Sequence, residues 1–386
     1  MSRMNSTSRD WLNITDSSTT PFLSDDITAT AYEYYDYSNL TEDELGKCVF
    51  ERHGDRFLPA LYSIIFLLGL LGNLLVIWVI ACGVRLRSMT DVCLLNLACA
   101  DLLLVCSLPF LAHQSWSQWT FGDDMCKMVL GIYHIVFYSG IFFISLLSID
   151  RYLAIVHAVY ALRARTRCFG VIAAAVTWTA GFMASFPDLA FLKVQEFSRI
   201  GINTFLYCVS EYPQAAVNDV NASDRHFWRV FGLFKMNIVG LFIPLLIMGF
   251  CYTQIVRRLL NSQSSKKQAV RLVVVVVAAF FCCWLPYNVA SFFKALELLH
   301  VYTECKSSKA IRLALQVTQA VAYAHSCLNP ILYVFAGQKF RRHLLRLIHK
   351  APCRVCHLIK IFMPVERISA SVYSQTTSLD ERSTAV

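Results

Sequence analysis

Seven stretches of this chain run for about twenty residues or more with little charge, at about 58–82, 90–113, 126–151, 167–187, 226–258, 268–297 and 308–335. An α-helix needs ~20 mostly apolar residues to cross the ~30 Å hydrocarbon core of a bilayer, so each stretch predicts a membrane span. The third, from Cys126 to Arg151, would be roughly 37 Å long as a helix, enough to cross with tilt. Between the fourth and fifth stretches, VQEFSRIGINTFLYCVSEY alternates apolar and polar positions about Gly201-Ile202-Asn203, which predicts a β-hairpin. Past Gly337, QKFRRHLLRLIHK sets apolar and basic residues at helical spacing, the pattern of a helix lying on a membrane surface. The expected fold is therefore an all-α membrane protein. It is a seven-transmembrane helix bundle with a short amphipathic eighth helix and a β-hairpin in the second extracellular loop. The expected divisions are an acidic arm at 1–57, the bundle at 58–335, the surface helix at 336–350 and a tail at 351–386.

Composition agrees: 56% of the residues are hydrophobic and mean hydropathy is +0.49. The start, MSRMNSTSRDWLNIT, is polar and has no apolar core, so the first span is expected to target the chain to the membrane. Charge supplies the orientation. The net charge is +9, yet residues 1–57 hold 11 acids against 5 Lys or Arg. Short-loop basic residues (Arg85, Arg87, Arg163, Arg165, Arg167, Arg257, Arg258, Lys266, Lys267, Arg271, Arg341, Arg342 and Arg346) all fall on one side of the predicted bundle, as the positive-inside rule requires of the cytoplasmic face. The glycosylation sequons at Asn5, Asn13, Asn39 and Asn221 fall on the other side. The expectation is a multi-pass plasma-membrane protein with its amino terminus outside and its carboxyl terminus in the cytoplasm. The tail, ISASVYSQTTSLDERST, is solvated and phosphorylatable, and Cys353 and Cys356 are candidate palmitoylation sites beside the lipid.

Polar groups inside apolar runs are costly and point to function. Asp101 sits well inside the second span, Asn73 inside the first, and Asp150-Arg151 close the third. Of fifteen cysteines, Cys48, Cys126, Cys208 and Cys305 lie in segments expected outside, where two disulfides form in one of three connectivities. No metal-protease HExxH, nucleophile-turn GxSxG or Gly-rich phosphate loop occurs, so the chain is not expected to be an enzyme. No internal repeat supports a transporter. The basic loops are the topology signal, not a nucleic-acid surface.

The string SIDRYLAIVHAVYALRART, with CWLPY at 283–287, NPILY at 329–333 and Trp119-Thr-Phe-Gly before Cys126, resembles the class A (rhodopsin-like) G-protein-coupled receptors and, within them, the CC-type chemokine receptors. The tail string ERISASVYSQTT leans toward the type 4 receptors of that branch. The resemblance implies a receptor for a small basic chemokine that signals through an inhibitory-class heterotrimeric G protein to calcium mobilisation and leukocyte chemotaxis. Arrestin and receptor kinases would act at the tail. It implies the disulfides Cys126–Cys208 and Cys48–Cys305. Sulfated Tyr32, Tyr34, Tyr35 and Tyr37 would gather the ligand, and Tyr62, Trp119, Tyr133, Trp284, Tyr287 and Gln319 would line its pocket. At the other end Asp150 would be a latch, Arg151 the switch and Tyr152 its support, with Tyr252, Asn329, Pro330 and Tyr333 as further switch residues. Trp284 and Pro286 would let the sixth helix pivot. An allosteric sodium ion is the one candidate cofactor, at Asp101 with Asn73, Ser326 and Asn329. Two positions depart from the family pattern: Gln319 stands where many relatives have glutamate, and Leu111 where many have tryptophan. The competing reading is a scavenging receptor that recruits arrestin without G-protein output, in which DRYLAIV is often altered; here it is intact.

Overall fold

The computed structural model describes residues 57–84, 86, 88–157, 166–198, 204–210, 223–260, 267–302, 304–336 and 338–350. The tyrosine-rich arm, Cys48, the four sequon asparagines, Cys353, Cys356 and the tail lie outside the described residues.

The elements run in the expected order. Helix α1 (Phe57–Val79) ends in a wide turn at Ile80–Val84 and is followed by α2 (Met89–Trp116), α3 (Gly122–Val156) and α4 (Arg167–Leu189). Strands β1 (Leu192–Ser198) and β2 (Thr204–Ser210) pair antiparallel from Leu192↔Ser210 to Ser198↔Thr204. Helix α5 has two α-helical parts, Ser223–Asn237 and Ile243–Leu260, joined by a π turn at Ile238–Phe242. Then come α6 (Lys267–Leu298), α7 (Cys305–Ala336) and α8 (Gln338–Lys350). The fourth span outruns its expected end at Pro187 and carries Asp188 with it.

Local chemistry explains several boundaries. Ser88 caps α2 by accepting from the Asp91 amide, while the Asp91 carboxylate accepts from the Ser88 amide. Thr166 caps α4 through the Phe169 amide. The π turn of α5 precedes Pro244, which has no N–H to offer the Gly240 carbonyl, so the helix widens there. Gly240 lies against Phe137 of α3: a Cβ added to it would stand 2.5 Å from the Phe137 ring.

Among the described residues six helices are long and apolar enough to cross a membrane. Helix α7 is as long but more polar. It carries Lys306, Lys309 and Arg312 near its start, and turns Gln319, His325, Ser326 and Asn329 inward, all buried. Helix α3 is the axis of the bundle, with 67% of its most apolar stretch buried against 28% for α4. The outer faces of α1, α4 and α5 expose Leu67, Leu71, Val176, Met183, Leu246 and Phe250, a surface suited to lipid.

The hairpin is bolted across one end. Cys126 of α3 is disulfide-bonded to Cys208 of β2, across a separation of 82 residues. Gln114 accepts from the Cys208 amide at 3.2 Å, Gln118 from the Leu206 amide at 3.3 Å, and Asp123 from the Val194 amide at 2.7 Å. Trp119 is part of this clamp: its amide donates to the Leu206 carbonyl at 2.7 Å and its indole N–H to Gly122 at 2.8 Å. Cys305 is also disulfide-bonded.

Candidate functional site

Beneath the hairpin, α3, α4, α5, α6 and α7 enclose a cavity of about 70 Å³. Tyr133, Tyr287 and Gln319 line it, as expected from the sequence. Gln319 donates to the Tyr323 hydroxyl at 3.0 Å, and the Tyr133 and Tyr62 rings pack on Tyr323 at 5.6 and 5.7 Å. Tyr62 therefore stands behind this wall. Trp119, taken from the sequence as pocket-lining, is fully buried in the hairpin clamp and does not line the cavity. A tryptophan at a mouth serves either end equally well by composition; here its two N–H groups find backbone partners in the clamp.

Trp284 lies one layer deeper, in the wall of a smaller void with Phe137, Phe280, Asp101 and His325. Its ring packs on Phe137 at 4.7 Å and its N–H points at His325 Nδ1, 3.4 Å away. His325 Nδ1 also lies 3.2 Å from the Ala322 carbonyl, and its Nε2 stands 3.4 Å from Asp101 Oδ1 without a hydrogen bond. Asn329 donates to the other carboxylate oxygen at 2.6 Å. Trp284, His325, Asp101 and Asn329 thus lie together one layer below the cavity.

The four residues expected around a sodium ion contact one another in pairs, Asn329 with Asp101 and Asn73 with Ser326. Asn73 donates to the Gly69 and Ser326 carbonyls at 2.9 and 3.0 Å, and the Ser326 hydroxyl donates to the Tyr323 carbonyl. Asp101 Oδ2 accepts from Asn329, while Asn73 Oδ1 is buried with no hydrogen-bond partner. Alkali cations take oxygen ligands, and the Asp101 carboxylate and the Asn73 side-chain carbonyl supply buried oxygens of that kind.

At the opposite end of α3, Asp150 is fully buried. Arg151 Nη2 lies 3.0 Å from its Oδ2, and the Thr90 hydroxyl of α2 donates to the same oxygen at 2.7 Å while accepting from Arg151. Asp150 and Arg151 are thus paired, with Thr90 bridging the two. Tyr152 turns elsewhere, with its hydroxyl 3.0 Å from His157 Nε2 and its ring on Phe250. Tyr252 joins Ser148 one turn above Arg151, at 3.4 Å. Tyr333 stands apart, buried against Phe340 of α8, and Pro330 packs against Gly72 of α1.

A family model described as 7 transmembrane receptor (rhodopsin family) matches residues 72–333. The chain belongs to that family. It is a multi-pass membrane receptor that binds a ligand and acts through G proteins, and it is not an enzyme.

Three polar residues of the receptor escaped the sequence reading. His325 was passed over in a stretch where Gln319, Ser326 and Asn329 were the polar residues singled out. Asp188 was assigned to the loop after Pro187, and Lys235 disappeared inside the apolar fifth stretch. Those two form an ion pair at 2.5 Å between α4 and α5, with side chains 7% and 9% exposed, and His134 Nδ1 lies 3.8 Å from the same carboxylate oxygen. An acid and a base in neighbouring apolar helices was the signal that would have found them.

Proposed function

We propose that this receptor sits in the plasma membrane with its amino terminus outside, binds a basic chemokine of the CC type and signals through an inhibitory-class G protein. The acidic arm attracts the cationic ligand at long range, and the ligand's flexible end then enters the cavity under the hairpin. The Trp284, His325, Asp101 and Asn329 cluster lies beneath that cavity, and the Asp150–Arg151–Thr90 latch holds the resting state at the G-protein end. Arrestin and receptor kinases engage the Ser/Thr-rich tail.

The observation that carries the ligand class is the second cystine. Cys305, at the head of α7, is disulfide-bonded in addition to the Cys126–Cys208 bridge. A second cystine at Cys305 is what the chemokine-receptor resemblance implies. The test is a panel of labelled CC and CXC chemokines on cells expressing the receptor, read for binding and for cyclic-nucleotide and calcium responses. One or more CC chemokines should bind and lower cyclic AMP in a pertussis-toxin-sensitive way. Binding by none of the panel would refute the ligand class, and binding without any G-protein response would turn the reading to a scavenging receptor.

A further inference from the structure

Helix α6 closes at the hairpin end of the bundle in a Schellman turn. The His300 amide donates to the Glu297 carbonyl at 2.9 Å, and the Val301 amide to the Leu296 carbonyl at 3.0 Å. His300 takes the left-handed position of that turn, with φ 59°, where glycine is the usual residue because a Cβ strains the backbone. It is the only non-glycine residue with a positive φ among those described. Strain of this kind is kept where a particular side chain is needed. The turn by itself would be better served by glycine, so the imidazole is what the position selects.

The His300 ring lies beside that of His226, in the first turn of α5, with centroids 6.2 Å apart and planes 4° from parallel. Both side chains are exposed, and neither has a hydrogen-bond or ion-pair partner among the described residues. Two small rings open to water, toward the far end of the range for aromatic pairs, gain little from each other. What they hold in common is ring nitrogen, a donor for zinc, copper and nickel ions. A zinc ion bound through two ~2.0–2.1 Å bonds keeps its donor nitrogens roughly 3–4 Å apart. Exposed imidazoles at this separation reach that spacing by turning about their side-chain bonds. The mount is firm, because Cys305, shortly past His300, opens α7 and is disulfide-bonded. Among the described residues no third histidine, cysteine or carboxylate joins the pair. Water would complete the shell, as it does in zinc sites that keep an open position.

We infer that His226 and His300 form a binding site for a divalent metal ion of the zinc class, which clips α5 to the link between α6 and α7 at the hairpin end. The site is separate from the cavity, since neither histidine lines it, and its occupancy does not depend on what the protein ligand is.

The test uses the full-length receptor, free of any affinity tag, in lipid nanodiscs with zinc(II) as the probe. Zinc is titrated in competition with a fluorescent chelator, and the melting temperature is followed with and without the ion. The wild type should bind one zinc ion, release it to EDTA and melt higher with it than without it. His300→Gly removes one donor and relieves the backbone, so without zinc it should melt no lower than wild type. His226→Phe removes the other donor and keeps a ring in its place. Each variant should bind zinc at least about tenfold more weakly and lose the zinc-dependent rise in melting temperature. Zinc affinity within about twofold of wild type in either variant would overturn the inference, because the ion would then be held elsewhere or by one imidazole alone. A wild type that binds no zinc would overturn it as well. A failed chemokine panel beside zinc binding that needs both histidines would sink the ligand class and leave this site standing.

Discussion

Thr90→Val should raise basal activity. The Thr90 hydroxyl of α2 donates to Asp150 Oδ2 at 2.7 Å and accepts from Arg151 Nη2, so it joins both halves of the latch on α3. Valine keeps the branched shape and removes both hydrogen bonds. Hydrogen bonds to charged groups contribute about 1.5–3 kcal/mol each. The Asp150–Arg151 contact at 3.0 Å survives, and the Arg151 side chain, 13% exposed, can recover part of the loss through water. A net cost of ~1.5 kcal/mol to the resting state is the conservative figure, about a tenfold shift toward the active state. If the active state is ~0.1–10% populated at rest, such a shift is large against background. The assay is ligand-free loading of a GTP analogue onto G protein in membranes, at matched receptor density. Thr90→Ser retains the hydroxyl and should behave as wild type. A basal rate in Thr90→Val equal to or below that of wild type would refute the latch.

Four further expectations follow from particular contacts. Arg151→Ala should abolish nucleotide exchange while leaving ligand binding intact; normal activation by that variant would remove Arg151 from the switch. Cys126→Ser opens the Cys126–Cys208 bridge and should cost about 2–5 kcal/mol, read as a lower melting temperature of the purified receptor, so an unchanged melt would show that the Gln114, Gln118 and Asp123 bonds suffice to seat the hairpin. Gly181→Ala pushes a methyl group into Ser139 of α3, with the Ser139 backbone nitrogen 3.0 Å away, and should lower thermal stability by about 1–3 kcal/mol, whereas Gly249→Ala, with no neighbour within 4 Å, should not; equal effects would deny the close α3–α4 approach. Gln319→Glu adds a carboxylate to the cavity wall and should change affinity for cationic ligands by about tenfold, unless Gln319 touches no ligand, in which case affinity and signalling stay as they were.

The architecture was readable because lipid permits so few solutions. Backbone groups without water must bond within a helix, so a long apolar run is nearly a statement of structure. That is why six spans, the hairpin and the basic-apolar repeat of α8 emerge where they were expected. Helix α7 was legible more by its place after the other six than by its own apolarity, since Gln319, His325, Ser326 and Asn329 dilute it and pack inward.

The site was only half legible, for a physical reason. Asp150 and Arg151 are neighbours in sequence, so their pairing could be anticipated; the third member, Thr90, comes from another helix and could not. Asp188 and Lys235 are likewise brought together by the packing of α4 on α5, and neither residue alone announces the other. Trp119 makes the converse point. A buried aromatic satisfies its N–H in a ligand wall or in a loop clamp with the same side chain, and only the position of Leu206 and Gly122 decides between them. A charge inside an apolar run therefore implies a partner elsewhere in the bundle, because lipid will not solvate it.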